Sequence, residues 1–146
     1  MVAVNSVLEH ILSQTRDALR EGTIIIVGGD RRDAALRRLH IAFELANVIH
    51  CCTRKSDSSC RRFASQLHDP GVVLVVWVLG LSRTHHGEHL HRLCRTIGVP
   101  WVDCFRIPHP NALLARIADL RLLDSLHARR ARCLLPLHRA QSGGEA

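Results

Sequence analysis

Hydrophobic positions along the chain follow two patterns, one helical and one extended. From Val4 to Arg20 apolar residues recur every three or four positions until Glu21-Gly22 ends the pattern, which predicts an amphipathic N-terminal helix. The run Thr23 to Val27 is continuously β-branched and ends at Gly28-Gly29. Such a run is typical of a central parallel strand that opens into a tight turn.

The same alternation continues through the middle of the chain. Asp33 is predicted to cap a helix reaching about Ala46, with Leu36, Leu39, His40 and Phe43 as its inner stripe. Further on, the pattern predicts a strand Val48 to Cys51, a polar loop Thr53 to Ser59, a short helix Cys60 to Leu67, a turn Asp69-Pro70-Gly71 and a long strand Val72 to Leu79.

The last third predicts a helix from Thr84 to about Thr96 ended by Gly98, a strand Val99 to Cys104, and a helix from Ala112 capped by Asn111. Strands that alternate with helices imply a parallel sheet covered on both faces. We therefore predict a small three-layer, Rossmann-like α/β fold of about four strands with added N-terminal and C-terminal helices. The expected organisation is an N-terminal helix over residues 1–22, one α/β domain over 23–135, and a flexible tail over 136–146.

Composition narrows the class of protein. A chain of 146 residues with 47% hydrophobic content suits one compact domain, and no apolar run reaches the ~20 residues of a membrane span. We expect a cytoplasmic protein that does not bind membranes. Its six cysteines lack the spacing of a disulfide scaffold, so reduced thiols are expected.

The net charge of +7 comes from arginine, because Lys55 is the one lysine among 20 basic residues. Arginine suits bidentate binding of phosphate or carboxylate, so the bias indicates an anionic ligand, a nucleic acid, or a GC-rich coding sequence. Base-stacking surfaces need exposed aromatic rings. Aromatic content is 3%, and most of the five rings are expected in the core, which makes nucleic acid possible but not favoured. Those rings are Phe43, Phe63, Trp77, Trp101 and Phe105.

Four histidines cluster at the start of the helix that follows the most hydrophobic strand. His85 and His89 are one helical turn apart, which lets two imidazoles share one ion, whereas His91 lies on another side. The helix N-terminus disfavours imidazolium, so His85 and His86 are expected to be neutral. The candidate metal ligands are His85, His86 and His89. The alternative is a solvated helix face that happens to be rich in histidine.

Other unusual residues follow the remaining strands. Gly28, Gly29 and Arg31 suit a phosphate cradle, although a purely conformational role for the glycines stays open because the full dinucleotide fingerprint is absent. Cys51, Cys52 and Cys104 are either thiolate ligands from neighbouring strands or buried small hydrophobes. The remaining candidates for cofactor binding are Ser82, Arg83, Thr84 and Arg106.

Several of these segments resemble the bacterial domain of unknown function 2325 family. The shared pattern is Ile25-Ile26-Val27-Gly28-Gly29 with an arginine-rich helix start, a valine-rich strand, a polar and histidine-containing helix start, and Ile97-Gly98-Val99-Pro100. The resemblance covers Thr23 to Ile107 and implies a Rossmann-like domain without an agreed enzymatic activity, some members binding haem and oxygen. The family has a Ser-His pair where this chain has Ser82-Arg83-Thr84-His85.

The resemblance implies a histidine axial ligand to haem, propionates bound by Arg31, Arg83 or Arg106, and apolar residues of the N-terminal helix over the ring. The leading hypothesis is therefore a non-enzymatic protein that binds haem, or another transition-metal centre held by histidine, in oxygen binding or redox or gas sensing. The alternatives are a regulatory module for a nucleotide or small anion, and a basic nucleic-acid-associated protein. A catalytic triad could be drawn with Ser82 or Cys104 as the nucleophile, His85 as the base, and Asp103 or Asp30 as the orienting carboxylate. No catalytic sequence motif marks these residues.

A homodimer is also expected. Leucine-rich segments near the C-terminus carry more apolar surface than one face of the sheet can cover. They contain Leu113, Leu114, Ile117, Leu120, Leu122, Leu123 and Leu126.

Overall fold

The computed structural model describes residues 2–28, 32–51, 65–78 and 84–132, and for residues 2–6 and 84–90 it describes the backbone alone. The elements are α1 (Val2–Leu19), β1 (Thr23–Val27), α2 (Asp33–Ala42), β2 (Asn47–Cys51), β3 (Val72–Val78), α3 (Thr84–Ile97), β4 (Trp101–Cys104), α4 (Pro110–Asp119) and a final helix α5 at 123–132. A helical turn at 65–67 is what the described residues show of the predicted Cys60 to Leu67 helix.

The strands form a parallel sheet in the order β2-β1-β3-β4. One face packs against α1, α2, α4 and α5 around Ile24, Ile26, Leu74 and Val76. The other face carries Ile25, Val27, Val75 and Trp77 and packs against Leu67 and α3. Helices on both faces make three layers, which confirms the predicted α/β fold with its N-terminal and C-terminal helices.

Non-glycine residues in the left-handed conformation follow three helices, with Glu21 (φ 62°) after α1, Glu44 after α2 and Arg121 after α4. α2 ends at Ala42 rather than near Ala46, since Glu44 has a φ of 49° and the Leu45 amide donates to the His40 carbonyl. Arg121 (φ 54°) ends α4 in the same way. These bonds form Schellman motifs, in which glycine is the usual left-handed residue. Gly98, where φ is 86°, is a glycine of this kind, and it ends α3 as predicted.

Two other predictions about individual residues are wrong, and a third residue is an exception to the expectation that most aromatic rings are buried. The cap of α4 is His109, whose ring accepts from the Asn111 amide at 3.1 Å, because Pro110 already fits the first helical position. His40 is exposed instead of occupying the core, because α2 buries the side containing Leu36 and Leu39. Phe105 is 85% exposed, since it follows β4 and leaves the sheet.

The leucine-rich C-terminal segments are largely covered within one chain. Leu113, Leu114, Ile117 and Leu126 are buried, and Leu120 is the member of the predicted set that stays exposed. α1 also covers part of this apolar surface, because its residues Ala18 and Leu19 belong to the same hydrophobic cluster. The surplus of apolar surface that suggested a homodimer is therefore small, and dimerisation stays a prediction. Within the described residues, no helix is long and apolar enough to cross a bilayer.

Candidate functional site

The strand order creates a topological switch point between β1 and β3. From β1 the chain moves outward to β2, and from β3 it moves outward in the opposite direction to β4. The connections that leave two such central strands diverge to opposite faces of the sheet, and open α/β sheets bind their ligands in the resulting crevice at the carboxyl ends of the strands. We call this place the β1/β3 crevice. It is bounded by Gly28, directly after β1, and by the start of α3 at Thr84.

Gly28 supplies the conformation that the turn after β1 requires. Its φ is 92°, which side chains rarely tolerate, and its amide donates to the Cys51 carbonyl at 2.9 Å. The His50 Nε2–H donates to the Gly28 carbonyl at 3.1 Å. Hydrogen bonds to β2 therefore hold both the amide and the carbonyl group of Gly28. His50 was not among the sequence candidates, because its contact depends on the pairing of β1 with β2.

Two helices begin at this same edge of the sheet. α2 starts at Asp33 after Arg32, which makes no side-chain capping bond, and α3 starts at Thr84. Helix N-termini carry a partial positive charge that favours anions. The backbone of α3 is helical from Thr84, so His85 and His89 lie one turn apart as predicted, and His86 lies in the first turn.

The other predicted site residues divide into two groups. Gly29, Arg31, Ser82 and Arg83 lie outside the described residues, as do Asp30 and Cys52. Arg106 lies just beyond the carboxyl end of β4 and is exposed, next to the exposed Phe105. Because β4 neighbours β3, both residues belong to the edge that contains the β1/β3 crevice.

Within the described residues, the thiols of Cys51 and Cys104 are not arranged as a joint ligand set. Cys51 ends β2 and Cys104 ends β4, which are the two outer strands, so about 14 Å of sheet separates them at ~4.8 Å a strand. The idea that these thiolates come from neighbouring strands is therefore wrong. Burial raises the pKa of Cys94 to about 12, and burial also raises the pKa of Cys104 against the lowering effect of Arg116. Both side chains remain protonated thiols near neutral pH. In the described part of the chain, no three metal-ligating side chains come together.

A second concave site lies along the outer edge of β4. This β4-edge cavity has a volume of about 520 Å³, and α3, β4, α4 and α5 line it. Asp103 faces α3, where its Oδ1 lies 2.9 Å from the His91 Nε2. The His91 ring stacks on Trp101 with 5.2 Å between centroids, and the Arg95 guanidinium lies 5.9 Å from the same indole.

Sequence reasoning missed this second site. Asp103 had been considered as an orienting partner for His85, and its contact is His91 instead, because α3 packs with His91 and Arg95 over Trp101. One feature of the sequence could have indicated the site. His91 and Arg95 are four residues apart, on one side of a helix, and Trp101 follows at the start of the next strand. That signal becomes specific only once β4 is known to be an outer strand.

Comparison with known proteins adds no assignment. No family model matches the chain, and no curated protein matches it. The resemblance to the domain of unknown function 2325 family therefore stays a prediction.

Proposed function

We propose that the chain is a non-enzymatic ligand-binding protein whose β1/β3 crevice holds haem, or another metal centre coordinated by histidine, with a role in oxygen binding or redox or gas sensing. The observation that carries this proposal is the strand order β2-β1-β3-β4. It puts the Gly28 turn beside the start of the histidine-containing helix α3.

The chemistry of the residues at this edge fits a haem group. Neutral imidazole is a common axial ligand of haem iron, and His85 and His86 lie in the first turn of α3, where the helix dipole favours the neutral form. A bound haem would supply an iron centre able to bind a gas or change oxidation state. The guanidinium of Arg106 is exposed at the same edge and suits a propionate carboxylate.

Exposed apolar residues near this edge also favour a large apolar ligand. Phe105 is 85% exposed beside Arg106, and a porphyrin ring would cover it. Val7 and Leu8 are exposed in the first half of α1. These two side chains are available for the expected cover of the ring by the N-terminal helix.

The test is the visible spectrum of protein purified from cells supplied with haem. We expect an intense Soret band at about one haem per chain, and His85→Ala or His86→Ala should remove or shift that band, because one of the two is the proposed axial ligand. His127→Ala is the matched control, since His127 is an exposed histidine of α5. A colourless protein with no metal by elemental analysis contradicts the proposal, as does a band that survives both α3 substitutions unchanged.

A nucleotide or small anion is the second candidate ligand. It is favoured by the two helices, α2 and α3, that begin at the β1/β3 crevice, and by the glycine conformation of the turn beside them. The same preparation distinguishes the candidates. A colourless protein whose thermal midpoint rises with added nucleotide, and in which Arg31→Ala abolishes that rise, supports this second function.

A further inference from the structure

We propose that the β4-edge cavity is a second binding site, separate from the β1/β3 crevice, for a small organic anion. The ligand class is an oxyanion, carboxylate or phosphate, attached to a flat apolar body. The oxyanion would bind Arg95, Arg116 and Arg132, which come from three different helices and all line the cavity. The apolar body would lie against Trp101 and Leu122. A volume of about 520 Å³ lies within the range of small-molecule sites.

The charges around the cavity are unbalanced. Among the described residues that line it, Asp103 is the one carboxylate, and Asp103 already bonds to His91. Among the described residues, none of the three arginines has a carboxylate within ion-pair distance. Arg116 Nε donates to the Asp103 carbonyl and Arg132 donates to the Gly98 and Ala128 carbonyls, all at 3.4 Å. A guanidinium has five N–H donors, so each arginine keeps donors for an anion.

The edge of β4 offers peptide donors to the same cavity. The Val75 amide donates to the Pro100 carbonyl, which fixes the ladder between β3 and β4. In a parallel strand alternate residues turn their peptide groups to opposite sides, so those of Trp101 and Asp103 face away from β3. No described residue accepts from either of these two amides. Peptide amides and guanidinium groups together are what an oxyanion needs.

The arginine contacts at the outer edge of β4 favour a small molecule over an added peptide strand. An incoming strand would pair along β4, and Arg116 already occupies the Asp103 carbonyl on that edge. At the other end of the edge, Arg132 packs against Gly98. A Cβ atom added to Gly98 would lie 2.9 Å from the Arg132 Nη1. A strand that paired along the whole edge would have to displace both of these contacts, whereas a compact ligand would not pair along the edge.

The experiment follows the Trp101 indole N–H resonance by NMR in full-length Trp77→Phe protein, which retains Trp101 as its one tryptophan. Phenyl phosphate and benzoate are titrated separately, with benzyl alcohol as the neutral analogue. We expect a saturable shift with at least one anion and a much weaker response to the alcohol. Arg116→Gln combined with Arg132→Gln should weaken anion binding by about tenfold or more, because two charge-assisted contacts are lost.

The matched control is Arg37→Gln combined with Arg38→Gln, two exposed arginines of α2 that do not line the cavity. Equal weakening in both double variants would mean general attraction to a basic surface, and it would overturn the proposal. No saturable shift with either anion would also overturn it. A shift produced by an acidic peptide but by neither anion would overturn it in favour of strand addition. None of these results bears on haem binding at the β1/β3 crevice.

Discussion

Replacing Arg129 with methionine is expected to lower the free energy of unfolding by about 3 kcal/mol. Arg129 is 7% exposed in α5, and its guanidinium donates to the Val72 carbonyl at 2.8 Å and to the Asp69 carbonyl at 3.3 Å. These bonds attach the last helix to the amino end of β3. Methionine keeps most of the apolar stem but leaves the Val72 carbonyl without this charged donor, and each lost bond of this kind costs about 1.5–3 kcal/mol.

Urea unfolding measures the effect as a lower midpoint with an unchanged slope. Arg92→Met is the matched control, because Arg92 is an exposed residue of α3 and its loss should change stability by no more than about 0.5 kcal/mol. Equal stability of Arg129→Met and the wild type would show that α5 does not depend on this buried guanidinium.

Replacing Gly22 with alanine is expected to destabilise the fold by about 2 kcal/mol. A Cβ atom at this position would lie 2.6 Å from the Val73 Cγ2 and 2.9 Å from its Cγ1. The approach is close because the register of β1 and β3 shifts between Thr23 and Ile24, which brings an extra residue of β3 opposite β1. Val73 is buried and cannot move aside without disturbing the core, and such overpacking typically costs about 1–3 kcal/mol.

The control for this second substitution is Gly71→Ala, in the turn that directly precedes β3. There a Cβ atom would lie 3.3 Å from the Asp69 Oδ1, which belongs to an exposed side chain that can shift. We expect the alanine at position 71 to be tolerated, with thermal midpoints recorded for both variants. If Gly71→Ala were the more damaging of the two, the register shift would not be the reason for a glycine at position 22.

The fold was predictable because its two central strands, β1 and β3, are fully buried. Each residue from Ile24 to Val27 has no exposed surface, so this strand appears in the sequence as an uninterrupted apolar run. Helix ends were harder to predict. Glu44 and Arg121 adopt positive φ without the glycine that normally marks a helix end. Exposed residues near the core were also misjudged, because His40 sits beside a buried stripe without being part of it.

The candidate sites show the same division between local and long-range information. The sequence alone predicted that the turn at Gly28 and the start of α3 come after parallel strands and therefore share an edge. It could not predict that β1 and β3 are neighbours, because strand order depends on contacts between distant segments. For the same reason it missed the pairing of His91 with Asp103 and the cavity along β4, both of which exist because β4 is an outer strand.

Hydrogen exchange with and without haemin tests the central claim most directly, because it locates the ligand along the chain. We predict slower amide exchange on haemin binding in peptides that cover 24–36 and 82–90, which contain Gly28 and the start of α3, and little change in peptides that cover 110–132. Binding of haemin with protection confined to other segments, or no binding at all, would contradict the account.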